Sequence, residues 1–136
     1  VEDVVNQIRP ILSKHFKPAL LARMTIVPYA PINRTIMREI TQMRLGGLAK
    51  RLATSHKIET RFADDLVDEI TKRCTEAETG ARNVEHILRG SLIPACSSVL
   101  LERMAEGPLP RVLDIGLTPD GAWRIEFDES TVPEAS

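Results

Sequence analysis

The sequence carries no excess of charge of either sign. Eighteen Lys and Arg stand against nineteen Asp and Glu, for a net charge of -1. That balance argues against a strong, sequence-independent grip on nucleic acid or on an acidic membrane surface. No run of eighteen apolar residues occurs, which removes a membrane-spanning helix. There is no Gly-x-x-x-x-Gly-Lys-Ser/Thr loop, no Gly-rich turn joining a strand to a helix, and no Gly-x-Ser-x-Gly turn. The histidines His15, His56 and His86 stand alone, with no Cys or His at ligand spacing, so no metal site is expected. Only two cysteines occur, Cys74 and Cys96, both in apolar surroundings, and no secretory leader is expected before them. The expectation is two buried thiols in a reducing, cytoplasmic compartment. A self-contained active site is not expected.

What is present is globular: 136 residues, 43% hydrophobic and 27% charged, enough for one core. The first residue is Val1, and it falls in what reads as mid-helix, so the expectation is a piece of a longer protein. Val4, Val5, Ile8, Ile11 and Leu12 have the three-and-four spacing of an amphipathic helix, which Pro10 is expected to kink or end early. Pro18 suits the first position of one or two helical turns through Met24. Residues 25–29 read as a short β-branched strand without a local partner.

From Asn33 the pattern changes. Asn33 or Thr35 can cap a helix whose inner face would carry Ile36, Ile40, Met43, Leu48 and Leu52. Gly46 and Gly47 lie inside it, at about 1 kcal/mol each relative to alanine, which a close helix contact or a bend would explain. Residues 58–62 alternate as a second strand. Residues 63–75 form a clear amphipathic helix with Leu66, Val67, Ile70 and Cys74 inward. After Gly80 a helix with Val84, Ile87 and Leu88 inward is expected to end near Gly90, and another to begin around Pro94 and run to about Met104. Residues 111–117 and 122–127 read as a hairpin about Thr118-Pro119-Asp120-Gly121. The tail, 128–136, has little to bury and is expected to be disordered. The fold class is therefore α+β: four helices with a small sheet of about three strands.

Two arginines are placed unlike the rest. Arg82 follows Gly80 at a helix start, where free N–H groups and the dipole already favour an anion. A cation there calls for a partner. Either a phosphate supplies it, through a bidentate guanidinium clamp, or Glu78 or Glu85 does. Arg23 ends a short helix, where an arginine is ordinarily a favourable cap. The run Arg34, Arg38, Arg44, Lys50 and Arg51 reads as the solvated face of the first long helix, since no aromatic residue interleaves for base stacking.

Arg9-Pro10, then Phe16-Lys17-Pro18-Ala19-Leu20-Leu21-Ala22-Arg23 and Ile26-Val27-Pro28-Tyr29, resemble the end of the second ATPase core of the Clp/HSP-type AAA+ unfoldases. Leu66 through Thr79-Gly80-Ala81-Arg82-Asn83 resembles their small C-terminal subdomain with its Gly-Ala-Arg motif. The likeness covers about residues 9 to 127. Within the family, Val27-Pro28-Tyr29, Gly80 through Leu88 and Leu92-Ile93-Pro94 look more like the ClpV branch of type VI secretion than the ClpB disaggregases. The ClpB type usually has Pro where Asn83 follows the triplet, and the family often has Asn where Ala22 precedes Arg23.

The resemblance implies a remnant of the large ATPase subdomain over 1–31 and a four-helix AAA+ small subdomain over 32–127. It implies that Gly80, Ala81 and Arg82 form the sensor-2 element, reaching the γ-phosphate of ATP in the same subunit. Arg23 would be the arginine finger, acting on the nucleotide of the neighbouring subunit in a homo-hexamer. ATP and Mg²⁺ would be cofactors of the intact protein, with the phosphate loop, the Mg²⁺-binding acid and the pore loop upstream of Val1. This piece alone would then be inactive and bind neither cofactor tightly. The implied protein partner is the contracted type VI sheath, or aggregated protein for a ClpB-like disaggregase. No nucleic-acid or membrane partner is expected. A non-catalytic ring-assembly or interaction module is the competing reading.

Overall fold

The computed structural model describes residues 1–76 and 80–134, and the chain divides into two compact units, Val1–Pro31 and Ile32–Ser136. In the first, α1 (Glu2–Ser13) carries Glu2 and Asp3 in its first turn, where the helix dipole favours acids. Pro10 does not end it. The helix runs three residues further, and the Ser13 hydroxyl donates to the Pro10 carbonyl at 2.7 Å, satisfying a group of the last turn. A short helix, α2 (Pro18–Leu21), has Pro18 at its start as expected. The strand expected over 25–29 does not form: residues 24–33 have no regular structure. A lone strand needs a ladder partner, and no described segment pairs with this one.

The second unit begins with α3 (Arg34–His56), where Asn33 Oδ1 accepts from the Ile36 N–H at 2.9 Å. Lys57 ends it with a left-handed φ of 57°. The buried face is Met37, Thr41, Leu45, Leu48 and Leu52, in steps of four and three. This corrects the expected face, because Ile36 is 45% and Met43 is 66% exposed. A polar Thr41 marks the true stripe, and its hydroxyl is satisfied by the Met37 carbonyl at 2.9 Å. At Gly46 and Gly47 a Cβ would meet nothing within 4 Å, so no close helix contact among the described residues explains them.

β1 (Glu59–Phe62) follows, then α4 (Asp64–Glu76), with Leu66, Val67, Ile70 and Cys74 buried as expected and Thr71 beside them. The path from Ala81 to Glu106 differs from expectation. Helix α5 (Ala81–Ile87) does not end near Gly90; it continues through a π-turn, Leu88–Leu92, into α6 (Ile93–Glu106). A wide turn absorbs Gly90 and accommodates Pro94, which can give no N–H to the carbonyl four residues back.

The hairpin forms as expected from β2 (Val112–Leu117) and β3 (Trp123–Phe127), with Gly121 at φ 83° in the turn. The sheet order is β1-β2-β3, β1 parallel and β3 antiparallel to β2. The parallel pair is joined by the helical crossover α4 to α6, as such pairs require. Leu113 and Ile115 join the helices' buried side chains in one core. Asp114, Arg124 and Glu126 lie outside it, and a Cβ at Gly116 would sit 2.7 Å from Arg124 Nη2, so the glycine lets that guanidinium cross the strand.

The tail expected to be disordered is folded over its described part. Glu129–Thr131 form a 3-10 turn capped by Asp128, and Thr131 Oγ1 accepts from the Arg111 and Val112 N–H groups. Hydrogen bonds, which composition does not report, hold it to the start of β2.

Candidate functional site

The groove is built from the start of α5. Gly80 precedes it with φ 52° and ψ -124°, a conformation that L side chains rarely adopt. Its Cβ position would meet only Met37 Cε, at 3.9 Å, so backbone geometry and not crowding calls for glycine. The Gly80 carbonyl then accepts from the Asn83 N–H at 3.0 Å and closes the first turn.

Helical spacing decides what faces the groove. Arg82, Glu85, His86 and Arg89 are three, four and seven residues apart, so they share one face of the helical path. With Arg44 of α3, Ala81 and Gly90 they line an open groove of about 800 Å³. Arg82 and Arg89 are exposed, and Ala81 is partly buried.

The electrostatics bear on the two alternatives for Arg82. Glu85 is taken by other partners: its Oε1 accepts from Arg89 Nε at 2.6 Å, and its Oε2 lies 3.7 Å from Arg44 Nη1. Glu78, the other candidate acid, lies outside the described residues. Among the described residues Arg82 has no ion pair. Three guanidiniums therefore line the groove against one carboxylate, an arrangement suited to a multiply charged anion such as a phosphate chain.

Arg44, His86 and Arg89 were not singled out in the sequence as members of this site. The signal for Arg89 was its spacing from Arg82. Arg44 reaches the groove through the packing of α3 on α5, which no local pattern announces. Two members of the basic run on α3 are engaged with acids: Arg44 with Glu85, and Arg38 with Asp64 at 3.3 Å and with Asp68.

Arg23 belongs to the first unit. It lies exposed just after α2, and its N–H donates to the Leu20 carbonyl at 3.0 Å. Among the described residues its side chain has no ion pair, and no group of His, Cys, Asp and Glu could hold a metal ion. No helix of the described residues is long and apolar enough to cross a membrane.

The family model described as "C-terminal, D2-small domain, of ClpB protein" matches residues 32–111. The chain is 39% identical over 106 residues to the AAA+ ATPase ClpV1 of Pseudomonas aeruginosa, which covers 78% of this chain and 12% of that relative. It is 29% identical over 100 residues to the chaperone protein ClpB of Yersinia enterocolitica, 74% of this chain and 11% of that one. A further ClpB, from Meiothermus ruber, is 27% identical over 108 residues. The chain thus spans about an eighth of the length of these curated relatives. It belongs to the ClpB D2-small family, the C-terminal small domain of Clp-type AAA+ proteins.

Proposed function

We propose that this chain is the C-terminal part of a ClpV-like, ATP-driven protein unfoldase that works as a cytoplasmic homo-hexamer. In this reading residues 1–31 are the end of the large ATPase subdomain of the second module, and the unit from Ile32 is its small subdomain. Gly80, Ala81 and Arg82 form the sensor-2 element, and Arg82 reaches the γ-phosphate of ATP bound by the same subunit. Arg23 is the arginine finger for the neighbouring subunit. ATP and Mg²⁺ are held mainly by residues outside this chain, which is inactive alone.

The observation that carries the reading is the pairing of Glu85 with Arg89 and Arg44. It takes away one of the two acids that could neutralise Arg82 and leaves the groove rich in guanidinium. Guanidiniums neutralise charge that develops on a transferred phosphoryl group; in related transfers an arginine finger is worth about 10³–10⁵ in rate. A small subdomain tied to nucleotide state also moves as a rigid body when that state changes. The similarity to the AAA+ ATPase ClpV1 supports an ATPase of the ClpV kind, and for that kind the resemblance implies type VI sheath disassembly as the work of the intact protein. The family description and the ClpB relatives support a disaggregase as the second reading, with the same mechanism and another substrate.

The test is the coding region upstream of Val1. A strand followed by Gly-x-x-x-x-Gly-Lys-Ser/Thr, roughly two hundred residues before, makes Arg82 and Arg23 parts of an ATPase site. An unrelated domain there leaves a helical interaction module.

A further inference from the structure

From Ala81 to Glu106 the backbone is one continuous helical path with a π-turn in the middle. Its buried stripe is Val84, Leu88, Leu92, Cys96 and Leu100, none more than 7% exposed. Each lies four residues from the next. A regular α-helix turns about 100° per residue, so a step of four drifts about 40°, and four such steps carry a stripe about 160° around the axis. The π-turn takes up most of that drift by fitting one residue more into a turn. The Ile93 N–H donates to the Leu88 carbonyl, five residues back, and the Ser91 hydroxyl donates to the Ile87 carbonyl at 2.8 Å.

Loss of any one of Arg89, Gly90 and Ser91 would restore the α-helical spacing, and Gly90 is the one with no side chain. It is exposed, a Cβ there would meet nothing within 4 Å, and it lines the groove with Arg82 and Arg89. Packing does not require it. Without Gly90 the buried residues would fall at spacings of four, three, four and four, which a plain α-helix buries on one face. Core and helix propensity alike would be served by a chain one residue shorter.

We propose that the surplus residue serves the groove: the π-turn sets how α5 stands against α6, and Gly90 and Ser91 are positioning residues for Arg82. This rests on Arg82 acting on nucleotide. The core holds α6 through Cys96 and Leu100 and the α5 end through Val84 and Leu88, and the wide turn sets the rotation between the two and with it where the Arg82 guanidinium stands over the groove.

Deletion of Gly90 in the intact protein tests it, with Arg82→Ala alongside. The deletion is expected to keep the melting temperature at or above that of the parent. ATP turnover is expected to fall tenfold to about a hundredfold, the scale of an approximately 1 Å misplacement. Combining the deletion with Arg82→Ala is expected to add nothing further. Gly90→Ala, which keeps the residue count, is expected to restore most of the turnover lost in the deletion. A fall of several degrees in melting temperature on deletion would show that the surplus serves packing, and would overturn the proposal. So would unchanged turnover in the deletion when Arg82→Ala is costly. A silent Arg82→Ala would instead overturn the reading of Arg82 itself, and the positioning role with it.

Discussion

Arg89 Nε donates to Glu85 Oε1 at 2.6 Å, one helical turn away on the face that lines the groove. The pair is exposed, and such pairs contribute about 0–1 kcal/mol to stability. Its consequence is local charge: Glu85 occupies two guanidiniums that an incoming phosphate would otherwise meet free. Glu85→Gln is therefore expected to leave the melting temperature within about a degree or two of the parent. Affinity for inorganic pyrophosphate at low salt is expected to rise by a factor of about 2–5, the scale of one exposed ion pair, as read by calorimetry on this chain. Weaker pyrophosphate binding in the variant would show that the groove does not receive anions.

The two methionines of α3 test which face of the helix is inward. Met37 is 1% and Met43 is 66% exposed. Met37→Ala is expected to cost about 2–5 kcal/mol by urea unfolding, as buried Met→Ala changes do. Met43→Ala is expected to stay within about 0.5 kcal/mol. A larger cost at Met43 than at Met37 would restore the face read from the sequence.

That face shows where sequence patterning succeeds and where it fails. On α4 four of the five inward residues are apolar, Thr71 being the exception, and acids stand in the first turn, so the 3.6-residue period locates both the helix and its face. The Pro-Asp-Gly turn and two alternating strands likewise locate the hairpin. On α3 the stripe includes Thr41, and apolar Ile36 and Met43 lie outside it, so counting apolar residues rotates the face. The π-turn was hidden for a related reason: Gly90 and Pro94 are ordinary helix-ending signals, and only three-dimensional burial of Leu88, Leu92 and Cys96 shows that the path continues. Of the candidate site, Gly80, Ala81 and Arg82 were legible as a motif. Arg44 was not, because its place depends on the packing of α3 against α5.

The buried thiols give a pH dependence. Desolvation raises both Cys74 and Cys96 above the ordinary value of 9.0, and Cys96 is pushed up to about 11. In the unfolded chain the Cys96 thiol ionises near 9.0, while in the fold it stays protonated to higher pH. The unfolded state thus binds fewer protons than the native state between pH 9 and 11, and stability falls as pH rises through that window. Cys96→Ala removes this contribution. The stability of the parent relative to this variant is expected to be constant below pH 8.5 and to decline steadily towards pH 10.5 by urea unfolding. A flat difference would show that Cys96 is not held as a buried neutral thiol.

Arg23 is expected to act in trans. In the intact protein, Arg23→Ala should leave subunit folding unchanged, since the side chain is exposed with no ion pair among the described residues. ATP turnover should fall by at least about 10³, the lower end for arginine fingers in related transfers. Mixing with subunits that keep Arg23 but cannot bind nucleotide should partly restore it, read as steady-state phosphate release. No recovery at any mixing ratio would place Arg23 outside the neighbouring site.

The most direct measurement is steady-state ATP turnover of the intact protein carrying Arg82→Ala, with its melting temperature measured in parallel. Arg82 is exposed and has no ion pair among the described residues, so the melting temperature should not move. Turnover should fall at least about tenfold, because a guanidinium placed on phosphate stabilises the charge of the transition state. Unchanged turnover with an intact hexamer would contradict the account and return Arg82 to the role of a surface cation.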